Sequence, residues 1–215
     1  FDWGFSAPSA CVFAAIAQRD TIFRDGERVV HVKRNSVVVF DEWYPLKTNA
    51  AGVPQYNKGR ELGALAQGAE LARASRSKGV AFSGCVADPS IFSAQGRERG
   101  LYEDLVRGAQ GEGYALQFDR ADNGRVVGWL GILDLLAGSL SEAQRVNEGK
   151  GHAEQPSLYI SAKCANLIRC LEAAPRDEKD PDDVDSKSED HLLDALRYLT
   201  NSTGANHVAV GHFRG

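Results

Sequence analysis

The sequence predicts an α/β fold in which hairpin strands stand beside parallel ones. Three observations lead there. Apolar stretches of strand length open the chain, two of them separated by Asp25-Gly26, a hairpin turn signal. Helical and extended stretches then alternate, the pattern of an α/β sheet. A Leu-rich amphipathic stretch, Ser188 to Tyr198, closes the ordered pattern.

The elements follow in order. Asp2-Trp3-Gly4-Phe5-Ser6-Ala7-Pro8 reads as a strand end running into a turn, punctuated by Gly4 and Pro8. Ala10 to Ala17 is a continuous apolar run and a candidate buried strand. Thr21-Ile22-Phe23 and Val29 to Val32 form the arms of the hairpin, and Ser36 to Trp43 is a further strand. Asn49 to Gln55 reads as loop. Lys58 to Arg76 is a helix, with Leu62, Leu65, Ala69 and Ala72 at helical spacing. Val80 to Val86 is a short strand ended by Asp88-Pro89. Leu101 to Gln110 is a helix, Tyr114 to Phe118 a strand, Arg125 to Leu140 an apolar helix, Leu158 to Ile160 a strand and Cys164 to Ala173 a helix. In the last stretch Ser188 or Asp190 suits the N-cap. Leu192, Leu193, Leu196 and Leu199 share one side, with His191, Asp194 and Tyr198 opposite.

Composition fits one ordinary globular domain over residues 1–215, with 43% hydrophobic and 25% charged residues. No apolar run approaches the roughly 20 residues of a membrane span. Cys11, Cys85, Cys164 and Cys170 make no CxxC pair and read as small buried hydrophobes. The chain opens at Phe1 and contains no Met, which reads as a piece of a longer protein. Net charge is −4, but residues 177 to 190 concentrate the acid; the remainder carries a small positive balance, which leaves a DNA partner open. That acidic stretch reads as a solvated loop.

Three carboxylates stand out by position. Asp2 lies at a turn after the first strand, Asp88 directly past a later strand and Asp194 on the last helix. Taken singly, each also suits a cap or turn. Ligand sites in open α/β sheets form outside the carboxyl ends of the strands, where such residues converge. Two unit charges ~5 Å apart repel by roughly 3 kcal/mol at an effective dielectric of about 20, so a cluster of three calls for a cation. Hard divalent ions, Mg²⁺ or Mn²⁺, suit oxygen ligands, and a pair of them about 4 Å apart suits phosphodiester cleavage. His191, one turn before Asp194, is a candidate catalytic partner. Lys33-Arg34, Lys58 with Arg60, and Arg73 with Arg76 and Lys78 are local basic clusters; Arg97 and Arg99, in a Gly-flanked loop soon after Asp88, rank first as phosphate contacts.

Phe1-Asp2-Trp3-Gly4-Phe5-Ser6-Ala7-Pro8, Ala87-Asp88-Pro89-Ser90 and Asp190-His191-Leu192-Leu193-Asp194-Ala195-Leu196-Arg197-Tyr198 together resemble the nuclease domain of the large terminase subunit of tailed bacteriophages. The resemblance spans nearly the whole chain in motif order, and the last motif is its most specific part. It implies an RNase H-like fold, a mixed sheet flanked by helices. It implies a two-metal endonuclease that cuts concatemeric double-stranded viral DNA during packaging in the host cytoplasm. Asp2, Asp88 and Asp194 then bind the metals, with His191 beside them. The implied partners are double-stranded DNA, a terminase ATPase domain, the small terminase subunit and the portal. No Gly-x-x-x-x-Gly-Lys-Ser/Thr loop is present, so the ATPase part lies outside this chain. Two other readings remain: a nucleotide-binding relative of the same topology, which lacks here a second Gly-rich phosphate loop, and a non-catalytic packaging module.

Overall fold

The computed structural model describes residues 1–25, 28–93, 99–147, 155–180, 183–185 and 188–204. The chain opens with the extended pair Phe1–Asp2, followed by β1 (Cys11–Ile16), the hairpin β2 (Thr21–Asp25) and β3 (Arg28–Val32), β4 (Val37–Trp43), and a second hairpin, β5 (Leu46–Thr48) with β6 (Pro54–Gly59). Then come α1 (Ala64–Ser77), β7 (Val86–Ala87), a 3₁₀ turn at Pro89–Phe92, α2 (Leu101–Gly111) and β8 (Asp119–Arg120). The remainder is α3 (Arg125–Asn147), β9 (Leu158–Ile160), α4 (Ala165–Ala173) and α5 (His191–Gly204).

Backbone bonds of the opening pair join two ladders into one mixed sheet. On one side Asp2 N donates to Ala10 O at 2.8 Å and receives Ala10 N in return, an antiparallel bridge to the strand of β1. On the other, Phe1 N donates to Val86 O at 2.7 Å and Asp88 N to Phe1 O at 3.0 Å, which is the parallel pattern. β1 pairs antiparallel with β4, β4 parallel with β9, and β7 parallel with β8. The spatial order is therefore β8, β7, Phe1–Asp2, β1, β4, β9, with β1 alone running against the rest.

Side chains alternate across this sheet, and both faces are covered. Val37, Val39 and Leu158 face Trp129 and Ile132 of α3, Leu167 of α4, and Leu192, Leu193 and Leu196 of α5. Phe1 and Phe13 face the other way, with Leu71 of α1 and Leu105 of α2. The α1–α2 crossing is close because Gly68 lies on the backbone of Leu105 and Gly108 on that of Leu65; a Cβ at either glycine would overlap a carbonyl. Trp129 is buried, and Trp3 packs half-buried at the edge of the second cluster. The predicted α/β class holds as a mixed sheet with helices on both faces.

Several boundaries differ from the sequence expectation. The helix expected from Lys58 begins only at Ala64, because Pro54–Gly59 pairs with Leu46–Thr48 instead. Gly59 N donates to Ser6 O, and its Cα sits against the Phe5 and Ala7 carbonyls, where no side chain fits. Asn57 and Glu61 take left-handed backbone angles, which stops the helix from extending back. The strand expected at Tyr114–Phe118 pairs only at Asp119–Arg120, while Leu116 and Phe118 insert their side chains into the core. The acidic stretch is more than a solvated loop. Asp183 receives Arg125 Nε at 2.7 Å and Trp129 Nε1 at 2.7 Å, and Glu189 receives Arg169 at 2.6 Å and Tyr44 at 2.8 Å.

Candidate active site

The bonds that insert Phe1–Asp2 between β1 and β7 also fix the site. With Phe1 in register beside Ala87, Asp2 and Asp88 stand next to each other at the ends of adjacent parallel segments. The Asp88 carboxylate accepts the Ser90 N–H at 2.8 Å, capping the 3₁₀ turn that Pro89 begins. α5 packs across β1 and β7. Its first turn is set by Asp190, whose carbonyl accepts Asp194 N at 2.7 Å, and by Leu192 and Leu193, which are fully buried. That burial orients His191 and Asp194 toward the strand ends.

Asp2 is buried, and its Oδ2 lies 2.7 Å from Nδ1 of His191. Burial raises the Asp2 pKa; the His191 hydrogen bond opposes the rise, and the charges of Asp194 and Asp88 add to it. Loss of solvent works against a charged imidazole at His191, but the bond to Asp2 and the fields of Asp2, Asp190 and Asp194 outweigh it and raise its pKa. Of the four residues picked out by the sequence, Asp88, His191 and Asp194 thus all lie within the electrostatic reach of Asp2.

The charge cluster is partly compensated, contrary to the expectation of three bare carboxylates. Asp194 Oδ1 accepts Arg197 Nε at 3.0 Å and lies 2.9 Å from its Nη2, while Arg125 Nη1 lies 3.6 Å from Oδ2. Arg197 is almost wholly buried; it also donates to Asn123 O at 2.9 Å, and Gly128 leaves room for its aliphatic stem. Arg125, at the start of α3, ties Asp194 to Asp183 of the acidic stretch. Asp190 is buried too, and burial followed by the Asp194 charge pushes its pKa up to about 6.

Sequence reasoning missed the roles of Asp190, Arg125 and Arg197, and placed Tyr198 only on a polar face. Asp190 reads as a cap from sequence, and Arg125 lies 69 positions from Asp194 with no local pattern to link them. Tyr198 is buried one turn beyond Asp194; burial and the charges of Asp2, Asp88 and Asp194 raise its phenol pKa. The proposed phosphate contacts are less defined. Arg97 lies outside the described residues, and Arg99 is exposed just ahead of α2. The other basic clusters are engaged locally: Lys33 with Asp20, Arg60 with Glu70, Arg73 with Glu112 and Lys78 with Asp41.

The donor chemistry of Asp2, Asp88 and Asp194 suits a hard divalent cation. Among the described residues, however, no group of three His, Cys, Asp or Glu side chains is already arranged to hold a metal ion. In the structure Asp2 is engaged by His191, Asp88 by the Ser90 amide and Asp194 by Arg197. No helix among the described residues is long and apolar enough to cross a membrane. Comparison of the chain with protein-family models, with curated proteins and with solved structures returns no match.

Proposed function

We propose that this chain is a divalent-metal-dependent DNA endonuclease with an RNase H-like fold, the nuclease part of a terminase large subunit. The observation that carries the reading is the position of Asp2: buried at the end of a central parallel segment, bonded to His191, and in the field of Asp88 and Asp194. The strand order, with one antiparallel strand inserted into an otherwise parallel set, supports it, as does the site's place at strand ends. Asp2, Asp88 and Asp194 would hold Mg²⁺ or Mn²⁺, two ions in the full site. Bound there, the metal supplies an activated water and stabilises the leaving oxygen of a phosphodiester.

The chain's own residues do the rest. Asp2 and Asp88 offer carboxylate oxygens from rigid strand ends, and Asp194 offers a third from α5 once Arg197 yields it. His191 orients the Asp2 carboxylate and holds a proton at Nδ1. Arg125 and Arg197 offset the charge of Asp194 and so lower the repulsion within the cluster. Double-stranded DNA is the substrate, concatemeric viral DNA during packaging in the host cytoplasm, with an ATPase domain, a small terminase subunit and a portal as partners.

The test is cleavage of supercoiled and linear plasmid DNA by the purified chain in Mn²⁺, in Mg²⁺ and in excess chelator, beside Asp88→Asn. Metal-dependent nicking and linearisation that the substitution abolishes is the expected result. DNA left intact by micromolar protein in both metals overturns the proposal.

A further inference from the structure

α3 packs one face inward through Trp129 and Ile132, and among the described residues nothing covers the other. That outer face carries Val126, Val127, Leu130, Leu133, Leu136 and Leu140, with relative exposures from 37% to 71%. Asp134 is the sole charged residue in the segment 126–140. A helix normally turns polar residues to water, and this one is apolar on both sides. The exposed side chains leave roughly 500 Å² of contiguous apolar surface, near the upper end for an ordinary monomer.

The spacing indicates what fits there. Val126, Leu130, Leu133, Ala137 and Leu140 recur at intervals of four, three, four and three. This 3.5-residue repeat keeps one seam facing another helix. Segment 126–140 contains no Lys or Arg, so it offers nothing to DNA phosphates or anionic lipid headgroups. A second copy of the same helix is apolar along the same seam. Pairing two such faces buries roughly 1,000 Å² in all, about the least that a specific interface needs.

We infer that the chain self-associates through the outer face of α3, forming a two-fold dimer with Leu130 and Leu133 at the centre of the seam. The same patch then meets itself across the axis, as two-fold interfaces require. The inference rests on no part of the nuclease proposal, and the inner face of α3 remains on the core of its own chain.

Sedimentation velocity on the purified chain between about 1 and 200 μM tests it. The expected result is a concentration-dependent shift from a 23.3 kDa species to one of twice that mass. Leu130→Glu combined with Leu133→Glu should raise the dissociation constant about a hundredfold or more, since two apolar contacts are lost and four charges enter the seam. Both side chains are half-exposed in the monomer, so far-UV circular dichroism should be unchanged. If the double variant fails to fold, Leu140→Glu, a seam position that is 61% exposed, replaces it. A wild-type chain that stays monomeric at 200 μM overturns the inference, and so does a dimer that these substitutions leave intact.

Discussion

Nδ1 of His191 and Oδ2 of Asp2 lie 2.7 Å apart, joining the first turn of α5 to the second residue of the chain. Burial and neighbouring carboxylates make this more than a surface contact. The raised pKa of His191 favours its protonated form, whose charge offsets that of Asp2. A bound cation takes over that role, so binding should release a proton. Mn²⁺ affinity, measured by calorimetry, should therefore rise from pH 6 to pH 8, and His191→Ala should flatten that rise. The same substitution should slow DNA cleavage by ten- to a hundredfold, the range for a residue that orients a metal ligand. Wild-type rate and an unchanged affinity profile in the variant would remove His191 from the site.

Asp88→Asn and Asp194→Asn should both abolish cleavage but part company in stability. Asp88 accepts a backbone N–H from Ser90, which an Asn oxygen does equally well. Its melting temperature should stay within about one degree of wild type. Asp194 is the carboxylate partner of Arg197, a guanidinium with 2% side-chain exposure. Removing that charge should cost about 2 kcal/mol, or roughly 4–8 °C for a domain of this size. Equal losses in the two variants would mean that Arg197 does not depend on Asp194.

The α1–α2 crossing yields a prediction independent of any activity. Gly68→Ala and Gly108→Ala each push a methyl into a facing backbone carbonyl, which cannot move aside as a side chain tip can. Each should destabilise by about 1–3 kcal/mol. Gly111→Ala, at the end of the same α2, meets nothing within 4 Å and should be neutral or slightly stabilising. Denaturant midpoints for the three variants check the contrast.

What the sequence made legible follows from how local each signal is. The strands at Cys11–Ile16 and Val37–Trp43 and the helix at Leu101–Gly111 announce themselves by apolar periodicity, and the structure places them within a few residues of expectation. So does α5, whose leucines all turn inward apart from a half-buried Leu199. Pro54–Gly59 was not legible as a strand: it is polar, mostly exposed, and holds its place by pairing and by the fit of Gly59 against the turn after Asp2. At the site, aspartates at strand ends could be read because position alone marks them. The arginines that neutralise Asp194 could not, since their effect depends on distances between α3 and α5 that no local pattern encodes.

The Asp190 pKa is raised to about 6 in the folded chain, against 3.8 for a free side chain, with burial as the main cause and Asp194 as the next. The folded state therefore binds more protons than the unfolded state between those values, and stability must fall as pH rises through that window. His191 acts in the same direction at higher pH: its raised pKa gives stability that is complete below about 6.5 and lost as the imidazole deprotonates. Asp183 and Glu189 work the other way. Burial opposes their charge, but Arg125 and Trp129 hold one and Arg169 and Tyr44 the other, and their pKa values are lowered. Their contribution is complete above the unfolded carboxylate range and is lost only below about pH 4. The melting temperature of the metal-free chain should thus peak on the acid side, near pH 5, and decline by several degrees toward pH 8. Asp2, whose pKa burial also raises, acts in the same direction, so Asp190→Asn removes one of three groups responsible and its decline above pH 5 should be shallower than that of wild type. Thermal scans of both proteins at half-unit pH intervals test this, and parallel curves would show that Asp190 ionises without cost to the fold.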